Sequence, residues 1–185
     1  TITGTATQGE TLTASNTLAD ADGMGAVSYQ WYADGVVITG ATASTFTLGQ
    51  DQVGKAITVK ASYTDQQGTA ELVSSSATAA IANVNDAPTG TVTITGTATQ
   101  GETLTASNTL ADADGMGAVS YQWYADGVVI TGATASTFTL GQDQVGKAIT
   151  VKASYTDQQG TAELVSSSAT AAIANVNDAP TGTVT

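Results

Sequence analysis

The sequence predicts an all-β protein made of two tandem antiparallel β-sandwich domains of about seven strands each, and two observations lead to this class. The segment that begins Thr1-Ile2-Thr3 returns unchanged at Thr93-Ile94-Thr95, which gives a repeat period of 92 residues. Each repeat alternates short runs rich in Thr, Val, Ile, Tyr and Ala with turns rich in Gly, Asp and Asn. Because solenoid repeats run only roughly 20 to 50 residues, each copy is expected to bury its own core.

The repeat also sets the predicted domain boundaries. We assign residues 1–84 to the first repeat, 85–92 to a linker, 93–176 to the identical second repeat and 177–185 to a second linker. Since Thr185 is the first residue of a third copy, we expect the chain to come from a longer run of repeats.

The alternation of apolar residues predicts the individual strands and their buried faces. In the first repeat the predicted strands cover residues 1–7, 10–16, 26–33, 36–39, 44–48, 55–64 and 70–81. Asp34-Gly35 is a hairpin signal between the third and fourth strands. A single tryptophan, Trp31, on the third strand of a seven-strand antiparallel pattern is typical of the immunoglobulin-like sandwich. Leu12 and Val59 are the expected apolar substitutes for the disulfide of that fold.

Composition excludes several classes of function. Sixteen acidic and four basic residues give a net charge of -12, so nucleic acid is not an expected partner and an anionic membrane would repel the chain. The absence of cysteine and histidine removes disulfides, thiolate zinc sites and the commonest general base. The expected partners are neighbouring identical repeats in the same chain. We expect a monomer without membrane insertion and without a small-molecule substrate.

The chain lacks the residue groups that an enzyme needs. A nucleophile paired with a base, or two carboxylates in a cleft, is not evident, because the acids lie in turns of a repeated small domain. The sequence therefore predicts a protein that is not an enzyme. Two functions stay open at this stage: a structural spacer, and a module that binds a glycan or a protein through many identical copies.

Acidic loops predict a calcium site where the two repeats meet. In an immunoglobulin sandwich the loops after the second and sixth strands lie where the chain enters, and the last strand finishes at the other end. The expected ligands are Asn83, Asn85 and Asp86 before the second repeat, Asp112, Asp114 and Asp157 within it, and Glu10 and Asp51 from exit-end loops of the first. Asp20, Asp22 and Asp65 are the corresponding acids of the first repeat. Such an oxygen-rich set suits Ca²⁺, which takes six to eight oxygen ligands, although Asp and Asn also form turns without any metal.

Five motifs together carry a resemblance to a known family. They are Leu18-Ala19-Asp20-Ala21-Asp22-Gly23, Tyr29-Gln30-Trp31, Asp51-Gln52-Val53-Gly54, Tyr63-Thr64-Asp65 and Val84-Asn85-Asp86-Ala87-Pro88. In combination they resemble the immunoglobulin-like, cadherin-like extender repeats of giant RTX-type bacterial adhesins exported by type I secretion. The segment Asn85-Asp86-Ala87-Pro88 is also similar to the junction motif of cadherins.

The resemblance implies a location and a role. Such repeats hold a distal adhesive domain away from the bacterial cell surface in cell adhesion and biofilm formation, and many bind Ca²⁺ at their junctions. It therefore implies an extracellular extender that calcium stiffens. The glycine-rich nonapeptides found near the secretion signal of those adhesins do not occur in this sequence.

Overall fold

The computed structural model describes residues 1–182 and confirms the predicted all-β class. The chain divides into two compact units, unit 1 covering Thr1–Val84 and unit 2 beginning at Asn85. The strands of unit 1 are β1 (Ile2–Thr3), β2 (Thr11–Ala14), β3 (Ser28–Ala33), β4 (Val36–Val37), β5 (Thr45–Thr47), β6 (Ile57–Thr64) and β7 (Ala70–Ser74). Those of unit 2 are β8 (Val92–Thr95), β9 (Thr103–Asn108), β10 (Ser120–Ala125), β11 (Val128–Val129), β12 (Thr137–Thr139), β13 (Ile149–Thr156) and β14 (Ala162–Ser166). Short 3-10 helices lie at Gln50–Gln52 and Gln142–Gln144.

Each unit is a β-sandwich in which a three-stranded sheet packs on a four-stranded sheet. The strand orders in unit 1 are β1-β2-β5 and β4-β3-β6-β7, and unit 2 repeats them as β8-β9-β12 and β11-β10-β13-β14. All pairings between these strands are antiparallel. Three strands facing four, joined by crossovers between the sheets, is an immunoglobulin-like arrangement.

The alternation predicted from the sequence places the expected residues in the core. Trp31 and Leu12 are fully buried and Val59 is 3% exposed, in one cluster that spans both sheets. The Trp31 ring stacks on Phe46 with centroids 5.8 Å apart, and its Nε1 donates to the Ala43 carbonyl at 2.9 Å. The ring therefore belongs to the interior, with its one polar atom satisfied.

The third and fourth strands are joined by the predicted tight hairpin. Ala33 pairs with Val36, which leaves Asp34 and Gly35 as a two-residue turn. Both have positive φ, 46° and 79°, as a type I′ turn requires. Asp34 Oδ1 accepts a hydrogen bond from the Ala56 amide at 2.9 Å, so this carboxylate has a structural role.

The seventh strand is shorter than the prediction of residues 70–81, and serine and threonine hydroxyls are the reason. Regular pairing ends at Ser74, and from there the Ser75 hydroxyl accepts from the Val59 amide while the Thr78 hydroxyl accepts from the Ile57 amide. Because side chains take the place of backbone acceptors, the last segment leaves the regular ladder. It returns only as isolated bridges at residues 80–82.

Residues 85–92, predicted as a linker, fold onto unit 2, and we call them the strap. Thr89 and Ala111 exchange two backbone hydrogen bonds, of 2.8 and 3.0 Å, in an antiparallel bridge. Val92 begins β8 and is 4% exposed in the core of unit 2. Gly90 has φ of 90°, and a Cβ there would lie 2.2 Å from the Thr109 carbonyl oxygen. Of the second predicted linker, 177–185, the last three residues lie outside the described part.

Candidate metal centre

The first acidic side chain of the site comes from the turn that follows β9. Asp112-Ala113-Asp114-Gly115 closes with a hydrogen bond from the Gly115 amide to the Asp112 carbonyl, and Gly115 has φ of 82°. Asp112 Oδ1 accepts from the Asp114 amide at 2.9 Å, a local bond that Asp makes readily in turns. Asp112 Oδ2 accepts from the Tyr155 hydroxyl at 2.6 Å. The turn and β13 thus hold this carboxylate in one orientation.

The second acid, Asp157, lies at the end of β13 and is 5% exposed. Its Oδ1 accepts from the amides of Gln159 and Thr161, at 2.9 and 2.7 Å, and so caps the hairpin to β14. Its Oδ2 is buried and makes no hydrogen bond. A buried carboxylate oxygen without a partner is costly, because it has lost its hydration and gained nothing in return.

The third acid, Glu163, completes the cluster and was missed in the sequence prediction. One carboxylate oxygen from each of Asp112, Asp157 and Glu163 lies within 4.8 Å of the other two, so these residues can hold a metal ion. Glu163 is directly opposite Tyr155 in the register of β13 and β14. The tight hairpin between Asp157 and Glu163 is the sequence signal that would have found it, because it returns Glu163 to the same end of the sandwich.

The strap covers this cluster with two hydrogen bonds. Asn85 Nδ2 donates to Glu163 Oε1 at 2.9 Å, and the Asp86 amide donates to Asp114 Oδ2 at 2.7 Å. Asp114 is only 2% exposed. Asn85, Asp86 and Asp114, all predicted as ligands, therefore border the three clustered acids. The carboxylates of Asp86 and Asp114 and the side-chain amide oxygen of Asn85 therefore add to the set of possible ligands.

Tyr155 lies beside the cluster and has a raised pKa. Burial and the hydrogen bond to Asp112 raise the pKa of Tyr155 well above its usual value, and the charges of Asp112, Glu163 and Asp157 add to the effect. In unit 1 the hydrogen bond to Asp20, together with burial, raises the pKa of Tyr63 to about 12. Both tyrosines therefore stay protonated and donate to an acid at neutral pH.

The cluster has the chemistry of a cation site. At an effective dielectric near 20, two carboxylates 4.8 Å apart repel by about 3 to 4 kcal/mol. The chain holds only four basic residues, all lysines, at positions 55, 60, 147 and 152. Of these, Lys152 places its Nζ 4.6 Å from the centroid of the Tyr124 ring. A bound cation would turn the repulsion into attraction and give Asp157 Oδ2 its missing partner.

The remaining predicted ligands lie elsewhere in unit 1. Glu10 and Asp51 are exposed side chains, the second in a 3-10 helix, and neither belongs to the cluster. Asn83 is half-buried, and its Oδ1 is buried without a hydrogen-bond partner. These three residues precede the strap.

The acids of the first repeat have the same local bonds but do not form such a group among the described residues. Asp20 accepts from the Asp22 amide and from the Tyr63 hydroxyl, both at 2.9 Å, and Asp65 caps its hairpin as Asp157 does. Asp22, however, is exposed, whereas its counterpart Asp114 is buried. The turns are therefore properties of the repeat, and within residues 1–182 the compact cluster is found only in unit 2.

Comparison with known proteins gives no relative from which to transfer a function. No protein-family model matches the chain, and no curated protein matches its sequence. Within residues 1–182, none of the helices is long and apolar enough to cross a membrane.

Proposed function

We propose that this chain is a structural spacer, without catalytic activity, in which calcium stiffens each junction between repeats. The single observation that carries the proposal is Asp157 Oδ2, a buried carboxylate oxygen without a hydrogen bond inside a group of three acids. A cation is the partner that such an oxygen lacks. Calcium suits the group best, because it accepts six to eight oxygens in irregular geometry, whereas magnesium demands a strict octahedron.

The strap links cation binding to stiffness. Its residues Asn85 and Asp86 already contact Glu163 and Asp114, so a cation held by the acids would bind the strap and the following repeat together. Without the cation, repulsion among the carboxylates opposes that docking. Calcium would thus convert a flexible connection into a rigid one, as a surface extender requires.

The chemistry of the site and the resemblance to extender repeats support an extracellular location. Extracellular calcium modules bind at roughly 0.1 to 1 mM, a range in which the outside of a cell fills them and the cytoplasm does not. We therefore assign the chain to a bacterial surface adhesin of the type I-secreted class, where it holds a distal adhesive domain away from the cell. The alternative is a multivalent module that binds a glycan or a protein, and among residues 1–182 no observation comparable to the unpartnered Asp157 Oδ2 favours it.

Small-angle X-ray scattering of the chain tests this function. We expect the maximum dimension and the rigidity to increase when EDTA is replaced by about 1 to 10 mM Ca²⁺. In Asp157→Asn the increase should vanish, because the variant keeps the hairpin cap and loses a charged ligand. Asp126→Asn is the matched control: it removes one charge from the same unit at a hairpin position of positive φ that Asn tolerates. Superimposable wild-type profiles in EDTA and Ca²⁺ would contradict the proposal.

A further inference from the structure

The three clustered acids of unit 2 come from two separate segments. Asp157 follows β13 and Glu163 lies in β14, so the backbone of one hairpin fixes these two relative to each other. Asp112 lies in the turn after β9, on a different part of the chain. A cation site built from all three therefore depends on what holds the Asp112 carboxylate against the hairpin.

Tyr155, in β13, provides that link. Its side chain is 5% exposed, and its hydroxyl donates to Asp112 Oδ2 at 2.6 Å. Within residues 1–182, no other side chain of the hairpin donates to this carboxylate. A buried tyrosine has only two side-chain torsions, so its hydroxyl has little freedom of position. Tyr155 thus holds Asp112 in place beside Asp157 and Glu163.

The bond from Tyr155 leaves the Asp112 carboxylate able to bind a cation. Oδ1 accepts one hydrogen bond, from the Asp114 amide, and Oδ2 accepts one, from Tyr155. An ionised carboxylate has about four lone-pair sites, so roughly two stay available. The hydroxyl therefore orients a ligand without taking its place, as groups behind the ligands of metal sites commonly do.

The spacing of the three acids distinguishes calcium from magnesium. Two oxygens on opposite sides of a cation are about 4.6 to 5.2 Å apart for Ca²⁺ and about 4.0 to 4.2 Å apart for Mg²⁺. The oxygens of Asp112, Asp157 and Glu163 lie within 4.8 Å of one another, a span that calcium bridges. Magnesium requires every pair to lie within about 4.2 Å, so a carboxylate that cannot move inward disfavours it.

We infer that Tyr155 is a positioning residue that sets both the calcium affinity of the cluster and its preference for calcium over magnesium. The inference rests on the proposed function, because it requires a cation among the three acids. Without the hydroxyl, Asp112 is free to turn away or to move inward. Calcium then loses a preorganised ligand. Magnesium loses less, because it keeps several of its waters and needs only one or two carboxylates.

Isothermal titration calorimetry of the 185-residue chain with Ca²⁺ and, separately, with Mg²⁺ tests the inference. The heat that Asp157→Asn abolishes identifies the cluster among any other sites. In Tyr155→Phe, which keeps the buried ring, the Kd for calcium should rise roughly tenfold or more. The Kd for magnesium should change by less than about threefold. Thermal unfolding in EDTA, where no cation contributes, checks that the variant is folded.

Tyr121→Phe is the matched control for the lost hydroxyl. Tyr121 lies in the same unit, and its hydroxyl accepts a hydrogen bond of 2.6 Å from Asn108 Nδ2. It has no contact with the three acids in that bond. Both dissociation constants of this variant should equal those of wild type.

A double-mutant cycle shows whether Tyr155 acts through Asp112. In Asp112→Asn, the amide oxygen can keep the bond to the Asp114 amide, while the amide nitrogen is not a calcium ligand. Adding Tyr155→Phe to this variant should change the Kd for calcium by less than about twofold, because the carboxylate that Tyr155 orients is already lost.

Each contrary result has a distinct meaning. A calcium Kd unchanged in Tyr155→Phe overturns the inference, and so does an equal loss for calcium and magnesium, which would leave Tyr155 a purely structural role. Full additivity in the cycle overturns its action through Asp112. In all three cases the proposed function stands, because wild type still binds calcium. A wild-type chain that binds no calcium overturns the proposed function and this inference together.

Discussion

The entry ends of the two units differ although the repeats within them, residues 1–84 and 93–176, have the same sequence. In unit 2 the first strand has four residues and the second has six, against two and four in unit 1. Asp114 is 2% exposed, whereas Asp22 is an exposed residue. The strap accounts for this difference, because it adds Val92 to the core of unit 2 and donates two hydrogen bonds, to Glu163 and to Asp114. A repeat of this kind is therefore complete only together with the residues that precede it.

The largest expected effect is a difference in stability between the two units. We predict two unfolding transitions in calorimetry, with unit 2 more stable by about 2 to 3 kcal/mol. Burial of a valine and each added hydrogen bond contribute on the order of 1 to 2 kcal/mol, and the conformational entropy lost when the strap is ordered offsets part of that sum. For units of this size the difference corresponds to roughly 8 to 24 °C. Trp31→Phe should lower only the first transition and Trp123→Phe only the second. Coincident transitions would show that the strap adds little.

Breaking the strap should remove most of this difference. Gly90→Val places a Cβ 2.2 Å from the Thr109 carbonyl, so the strap must leave its position. We predict a loss of about 2 kcal/mol in the free energy of unfolding of unit 2, measured in EDTA by chemical denaturation. Gly182→Val, the same substitution at the equivalent position of the second predicted linker, should change the stability of either unit by less than about 0.5 kcal/mol. Equal effects of the two substitutions would contradict the assigned role of the strap.

The smallest effect is a change of sign at the acidic cluster. In EDTA, Asp157→Asn should stabilise unit 2 by about 1 kcal/mol, because it relieves repulsion while an amide oxygen keeps the hairpin cap. In Ca²⁺ at about ten times the dissociation constant, wild type gains roughly 1.4 kcal/mol that the variant does not, so the order reverses. Asp65→Asn, the matched change in unit 1, should show a smaller effect in both conditions. Thermal unfolding in the two buffers measures this, and an unchanged order would argue against a cation at Asp157.

Much of the fold was predictable because it depends on local alternation. The run from Ile57 to Tyr63 buries every second residue, and the two-residue turn at Asp34-Gly35 follows from turn chemistry alone. The last strand was predicted too long, since alternation does not reveal that the hydroxyls of Ser75 and Thr78 take over backbone acceptors.

The candidate site was only partly predictable from the sequence. Asp112 and Asp157 follow from the loop positions of the fold, because loops after the second and sixth strands lie at the same end. Glu163 did not, since its place depends on the register across the hairpin from Tyr155. The role of Asn85 also required the structure, because its partner lies 78 positions further along the chain.

By itself, the sequence determined the β class, the strand order along the chain, the acidic charge and the turns that position each Asp. These depend on alternation, side-chain type and short-range hydrogen bonds, and they are the same in both copies. Only the tertiary structure decided that the residues before a repeat belong to it, and that three acids from separate segments share one cluster. The physical reason is that a strap residue such as Val92 contributes through burial against strands that lie far away in the sequence. A local pattern of residue types does not reveal such contacts.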